Sequence, residues 1–230
     1  MSSQAEPAPG AAIQDPGGLA GIWPDGSAPA GLAQLARAQW PGTRGDELPP
    51  VAGFVTSAFS PLVAAVADLC LLDYFGAPPA GQAQGERTAI VLASSTGDLG
   101  TSAAVAAAVQ AGKRVPPLLF YQSNHNAVAG YIAARWGLYG PVVCTMPGSA
   151  AGAGRSATAL SLAMSEAAAS AALLIEDGDA DAALVIAANA YLDGGAEGTA
   201  MLIGPASWPL AASRPQTRIP QDSPAPASVH

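Results

Sequence analysis

Gln122-Ser123-Asn124-His125-Asn126-Ala127-Val128-Ala129-Gly130-Tyr131-Ile132-Ala133-Ala134-Arg135-Trp136-Gly137-Leu138-Tyr139-Gly140-Pro141 is the stretch on which the reading of this chain turns. It predicts a helix over 124–135. Ser123 and Asn124 both stand where a side-chain oxygen can accept from the free N–H groups of a first helical turn. Gly140-Pro141 cannot continue that helix, and the apolar run 141–145 that follows reads as a strand.

The same alternation extends outward. A short apolar strand at 18–23 is closed by the turn signal Pro24-Asp25-Gly26. Residues 30–39 read as a short helix. Residues 61–75 carry apolar side chains at Leu62, Val63, Val66, Leu69, Cys70 and Tyr74, which is helical spacing. A Gly/Pro/Gln loop spans 76–86, and 88–93 is a continuous apolar strand followed by Ser94-Ser95-Thr96-Gly97-Asp98-Leu99-Gly100. An alanine-rich helix over 101–111 ends at Gly112, and a long helix over 158–176 stops at Asp177-Gly178. Strands at 182–188 and 198–203 complete the pattern. Unbroken apolar strands separated by helices imply a sheet covered on both faces, an α/β layer sandwich without internal repeats.

The chain has 230 residues, half of them hydrophobic and 11% charged, enough for one domain. Its ends, 1–12 and 213–230, are rich in Pro, Ser, Ala and Gln and are expected to be disordered, leaving a single domain over 13–212. The net charge is -8, and the nine basic residues are scattered, so a nucleic-acid partner is not expected. An anionic membrane surface is disfavoured for the same reason. Mean hydropathy is +0.28, and with so few charges part of the surface should be apolar, as interfaces are. Cys70 and Cys144 make no disulfide framework. The first twelve residues lack the basic start and apolar core of a signal peptide. The longest apolar run, 157–175, is punctuated by Ser161, Ser165, Glu166 and Ser170, so no membrane span is expected. These readings point to the cytoplasm.

Four local patterns, in order, resemble the β-ketoacyl synthases. They are 88–93 with the turn Thr96-Gly97-Asp98-Leu99-Gly100; the stretch 123–141; Asp177-Gly178-Asp179-Ala180-Asp181 with its following strand; and the closing strand 198–203. The resemblance covers roughly 18–206. It implies a thiolase-like N-terminal half-fold, layered helices around a mixed β-sheet. The family is built from two such halves, and this chain matches the first. In ketosynthases a catalytic cysteine comes eight residues after the proline of Gly-Leu-x-Gly-Pro; here that position is Ser149. The spacing between Gly140-Pro141 and Gly178-Asp179 is longer than in an ordinary ketosynthase, with 147–156 as the extra segment. Aligned from the following helix, Ser161 takes the cysteine's place instead. Neither position is cysteine, and the two histidines of the second half have no counterpart: only His125 and His230 occur.

Ser123-Asn124-His125-Asn126-Ala127 is similar to the Ser-x-His-Asn-Ala signature of short, chain-length-factor-like partners in reducing type II polyketide synthases, which make polyenes and related acyl chains. That resemblance implies a non-catalytic subunit, paired with a full-length ketosynthase, that forms the acyl tunnel and controls chain length. An acyl carrier protein would reach it through the complex. No cofactor and no metal are implied. The helix holding Ala103, Ala104, Ala107 and Ala108 would line the end of the tunnel. Phe120, Tyr121, His125, Asn126 and the strand Val142, Val143, Cys144, Thr145 and Met146 would lie at the interface.

The residues also admit plainer readings. The run 102–109 is alanine and valine after its leading serine, which equally describes a buried helix needing close approach to its neighbours. Catalysis by Ser149 or Ser161 needs an adjacent base, and His125 is the single internal histidine. Cys144 with His125 is a second possible pair, although Cys144 reads as part of a buried strand, where thiols are inert. An autonomous acyltransferase or thioester hydrolase using Ser149 or Cys144 with His125 is therefore the alternative function. The turn 94–100 lacks the endings of phosphate loops, and Glu176, Asp177, Asp179 and Asp181 do not match a calcium loop.

Overall fold

A computed structural model of the chain describes Pro29 and residues 31–41, 47–147 and 157–208. The strand expected at 18–23, Ser149, His230 and both expected disordered ends lie outside the described residues. Eleven elements follow in order among those described: β1 (Leu32–Trp40), α1 (Phe59–Phe75), α2 (Gln82–Glu86), β2 (Thr88–Ala93), α3 (Leu99–Gln110), α4 (Pro117–Gln122), α5 (His125–Trp136), β3 (Val142–Thr145), α6 (Ala157–Glu176), β4 (Ala182–Ala190) and β5 (Ala196–Pro205).

The five strands form one mixed sheet in the order β1-β5-β4-β2-β3. β3, β2 and β4 run parallel, and β5 and β1 are added antiparallel. Alternation along the strands sorts side chains by size. Ile90, Leu92, Leu184 and Ile186 point to one face, where they pack with Leu62 and Val66 of α1 and Val128 and Ile132 of α5. Ala89, Val91, Ala93, Ala183, Val185 and Ala187 point to the other. Against that smoother face lies α6, through Ala163, Ala167, Ala168 and Ala171. Small residues on both sides of that contact bring helix and sheet close together. Helices thus cover both faces of the sheet, as the unbroken apolar strands predict.

Two glycines of the deciding stretch have specific work. Gly137 adopts the left-handed conformation (φ 66°) that ends α5, its N–H donating to the carbonyl of Ala133. Gly140 lies directly against the backbone of Thr88, so that a Cβ there would collide with the Thr88 carbonyl. This close approach lets Ile90 donate to the Pro141 carbonyl at 2.9 Å and starts the β2–β3 ladder. The acidic turn after α6 is exposed, and it is tied to the start of β2: Arg87 pairs with Asp181 at 3.0 Å and donates to the carbonyls of Gly178 and Asp179.

The structure corrects several expectations. Residues 30–39 are not a helix but most of β1. Leu32 and Leu35 have helical spacing, yet the segment pairs with β5 from Leu32↔Pro205 to Trp40↔Gly198, and a register shift between Gln34 and Ala36 breaks the strand's own alternation. The loop at 76–86 contains the short helix α2. The six-residue helix α4, with proline at its first turn, was not foreseen. On length and composition α6 is apolar enough over Ala159–Glu176 to cross a membrane, despite its serines. Its buried stripe instead covers β2 and β4.

Candidate functional site

The loops leaving the carboxyl ends of parallel strands are where such sheets place their sites. Here the β2–α3 turn, the start of α5 and the end of β3 converge. They line an open pocket of about 430 Å³, bordered by Thr96, Gly97, Asp98, Ser102, Ser123, Asn124, His125, Asn126, Cys144 and Met146.

Each wall has a local cause. Asp98 caps α3: one carboxylate oxygen accepts from the Thr101 N–H at 2.9 Å, the other from the Thr101 hydroxyl at 2.8 Å. The Ser94 hydroxyl accepts from the Gly97 N–H at 2.9 Å and tightens the turn. Asn189, wholly buried at the end of β4, braces the same turn from below. Its carbonyl oxygen accepts from the Ser95 N–H at 3.0 Å and the Ser94 hydroxyl at 3.3 Å. Asn124 caps α5 by accepting from the Asn126 N–H at 3.0 Å, so of the two capping candidates Asn124 is the one used. His125 begins α5 and leans on Phe59, with Gly97 beneath it: a Cβ built on Gly97 would stand 3.1 Å from its Nε2.

The electrostatics disfavour an ion pair between Cys144 and His125. Burial lowers the pKa of His125 below its ordinary value, and the nearby Asp98 carboxylate offsets this in part. Burial pushes the Cys144 thiol up to about 11. A thiolate–imidazolium pair needs the opposite shifts. Cys144 and His125 therefore share one pocket as a neutral thiol and a neutral imidazole. Cys144 is not in the body of a buried strand as its apolar neighbours imply. β3 is the edge strand of the sheet, and Cys144 is half-buried.

Of the expected site residues, His125, Asn126, Cys144 and Met146 come together in this pocket. Phe120 and Tyr121 stand nearby on α4, both exposed, the first at 77%. Val142 is exposed, while Val143 and Thr145 are half-buried along β3. Ser161 lies exposed in the first turns of α6 and is not among the residues lining the pocket. The alanine helix is not buried. In α3 only Thr101 is, while Ala103 and Ala107 are exposed and Ala104 and Ala108 half-buried. Asp98, Asn189 and Phe59 were not singled out from the sequence. Asn189 had a signal, a lone amide in the apolar run 182–190. Among the described residues no group of three His, Cys, Asp or Glu side chains is placed to hold a metal.

No protein-family model and no curated protein matches the chain. Solved structures do. One is a chain from a ketosynthase (ApeO) in complex with its chain length factor (ApeC) from Xenorhabdus doucetiae. It matches at 14% identity and a TM-score of 0.55, over 77% of this chain and 80% of that one. The near-equal shares mean that the two chains are of similar length. The ishigamide ketosynthase/chain length factor matches at 23% identity and a TM-score of 0.50, over 76% of this chain and 50% of that one. A β-ketoacyl synthase from Burkholderia phymatum matches at 15% identity and a TM-score of 0.51, over 75% and 52%. The chain spans about half the length of the latter two. At these identities the likeness shows the fold: the chain has the α/β, thiolase-like fold of the ketosynthases, in a length that matches about half of a full one.

Proposed function

We propose that this chain is a non-catalytic, chain-length-factor-like subunit that pairs with a full-length ketosynthase and closes the end of its acyl tunnel. The observation that carries the reading is the bare apolar face around β3. Among the described residues the outer edge of β3 pairs with no other strand. Val142 on that strand and Met146 just after it are exposed, and α3 and α4 expose Val109, Leu118, Phe120 and Tyr121. Large apolar side chains left exposed favour an interface, and an unpaired edge strand is a template for another strand.

Ketosynthase-fold likeness supports the identity of the partner, because the similar-length match comes from a ketosynthase–chain length factor complex. The raised pKa of Cys144 supports a non-catalytic role over the reading in which that thiol is the nucleophile. Growing acyl chains would be carried on an acyl carrier protein that docks with the complex, in polyene or polyketide synthesis. Ala103, Ala104, Ala107 and Ala108 on α3 would border the tunnel, where small side chains leave room. No cofactor enters this account. Co-expression of the full chain with ketosynthase-type chains of the same genome tests it. The expected product is a stable one-to-one heterodimer burying more than ~2,000 Å² in total. Recovery of the chain only as a monodisperse monomer in the presence of those ketosynthases would contradict it.

A further inference from the structure

Charge is distributed unevenly along this acidic chain. Between Asp98 and Glu166 there is no aspartate or glutamate at all, so all 17 acidic residues lie outside that stretch. Yet the stretch carries Lys113, Arg114, Arg135 and Arg155. It contains α3, α4, α5 and β3, and with them the exposed Val109, Leu118, Phe120, Tyr121, Val142 and Met146. Arg135 is neutralised by Asp68 of α1 at 3.1 Å. Lys113 and Arg114 form no ion pair among the described residues. They stand exposed in the turn between α3 and α4, flanked by the exposed Val109 and Leu118.

Two effects meet here. Carboxylates at a desolvated interface are costly unless paired, so a face made for burial is better without them. This chain is acidic overall, so a locally positive face also gives it a defined orientation toward an acidic surface. We infer that the α3–α4 turn docks against an acidic rim of the partner subunit, with Lys113 and Arg114 opposite its carboxylates beside the apolar contact.

This rests on the proposed pairing with a ketosynthase and adds to it the charge of the partner's rim. The test uses the full chain and the ketosynthase that co-purifies with it. A zero-length carbodiimide, which joins amines to carboxylates, is expected to couple Lys113 to an aspartate or glutamate of the partner. Lys113→Glu with Arg114→Glu is expected to weaken the complex roughly tenfold at low salt and to flatten the salt dependence of Kd. The neutral pair Lys113→Gln with Arg114→Gln should give an intermediate loss, which guards against a folding artefact of charge reversal. A complex of undiminished affinity in both double variants, with no cross-link at Lys113, overturns this inference and leaves the pairing itself standing. Failure of the wild-type chain to bind any ketosynthase overturns both.

Discussion

The ring of His125 lies 5.0 Å from that of Phe59, tilted by 38°, so the imidazole that opens α5 rests on an aromatic face of α1. This contact explains why His125 is held neutral: burial outweighs the attraction of Asp98. The sign of the consequence is fixed. The folded pKa lies below the ordinary 6.5, so the unfolded chain takes up the proton first on acidification. Stability contributed by neutral His125 is present above 6.5 and is lost as pH falls toward the folded pKa. Urea unfolding at several pH values should show stability falling below pH 6.5, with a shallower fall in His125→Gln. An unchanged slope in that variant would place the acid sensitivity elsewhere.

Cys144 should behave as an unreactive thiol. With a pKa of about 11, only on the order of 0.1% is thiolate at pH 8. Alkylation by iodoacetamide, followed by mass spectrometry, should be slow at pH 8 and rise about tenfold per pH unit until near 11. Rapid labelling at neutral pH would revive the nucleophile reading.

Gly140→Ala should be among the most damaging single changes. The added methyl meets the Thr88 carbonyl, whose residue is held at the start of the β2–β4 ladder and cannot withdraw. Trp136→Ala should cost about 3–5 kcal/mol, since the indole is fully buried and its N–H donates to Asp68 at 2.6 Å. Thermal unfolding of the isolated chain measures both. A variant that melts like the parent would contradict the packing described.

Much of this architecture was legible because it rests on local patterns. β2 and β4 are continuous apolar runs, and α5 announces itself through the capping candidate Asn124. β1 was hidden because Leu32 and Leu35 satisfy a helical turn while pairing with β5, far away in sequence, decides the outcome. The exposure of α3 was illegible for another reason. An alanine–valine helix reads alike whether its own chain or a partner is to cover it. The pocket was only partly visible, since it is assembled from the ends of separate elements, and Asn189 reaches it from β4 through the β2–α3 turn.

Exposure of α3 makes the tunnel proposal testable without unfolding the chain. Ala107 is exposed and Ala104 half-buried, so phenylalanine at either site should be tolerated by the isolated subunit. Within the complex a bulky ring would fill space that packed walls do not yield easily. Ala104→Phe or Ala107→Phe should shorten the acyl products while the heterodimer still forms. Mass spectrometry of carrier-bound chains reads the result; an unchanged distribution from both variants would remove α3 from length control.

The central claim is that chemistry belongs to the partner and shape to this chain, and a reconstituted condensation assay tests it most directly. Ser149→Ala with Cys144→Ala in this chain should leave the rate of the assembled complex nearly unchanged. Removing the nucleophile of the ketosynthase should abolish it, a loss of at least about a thousandfold. The account is contradicted if the double variant assembles normally and loses activity on that scale.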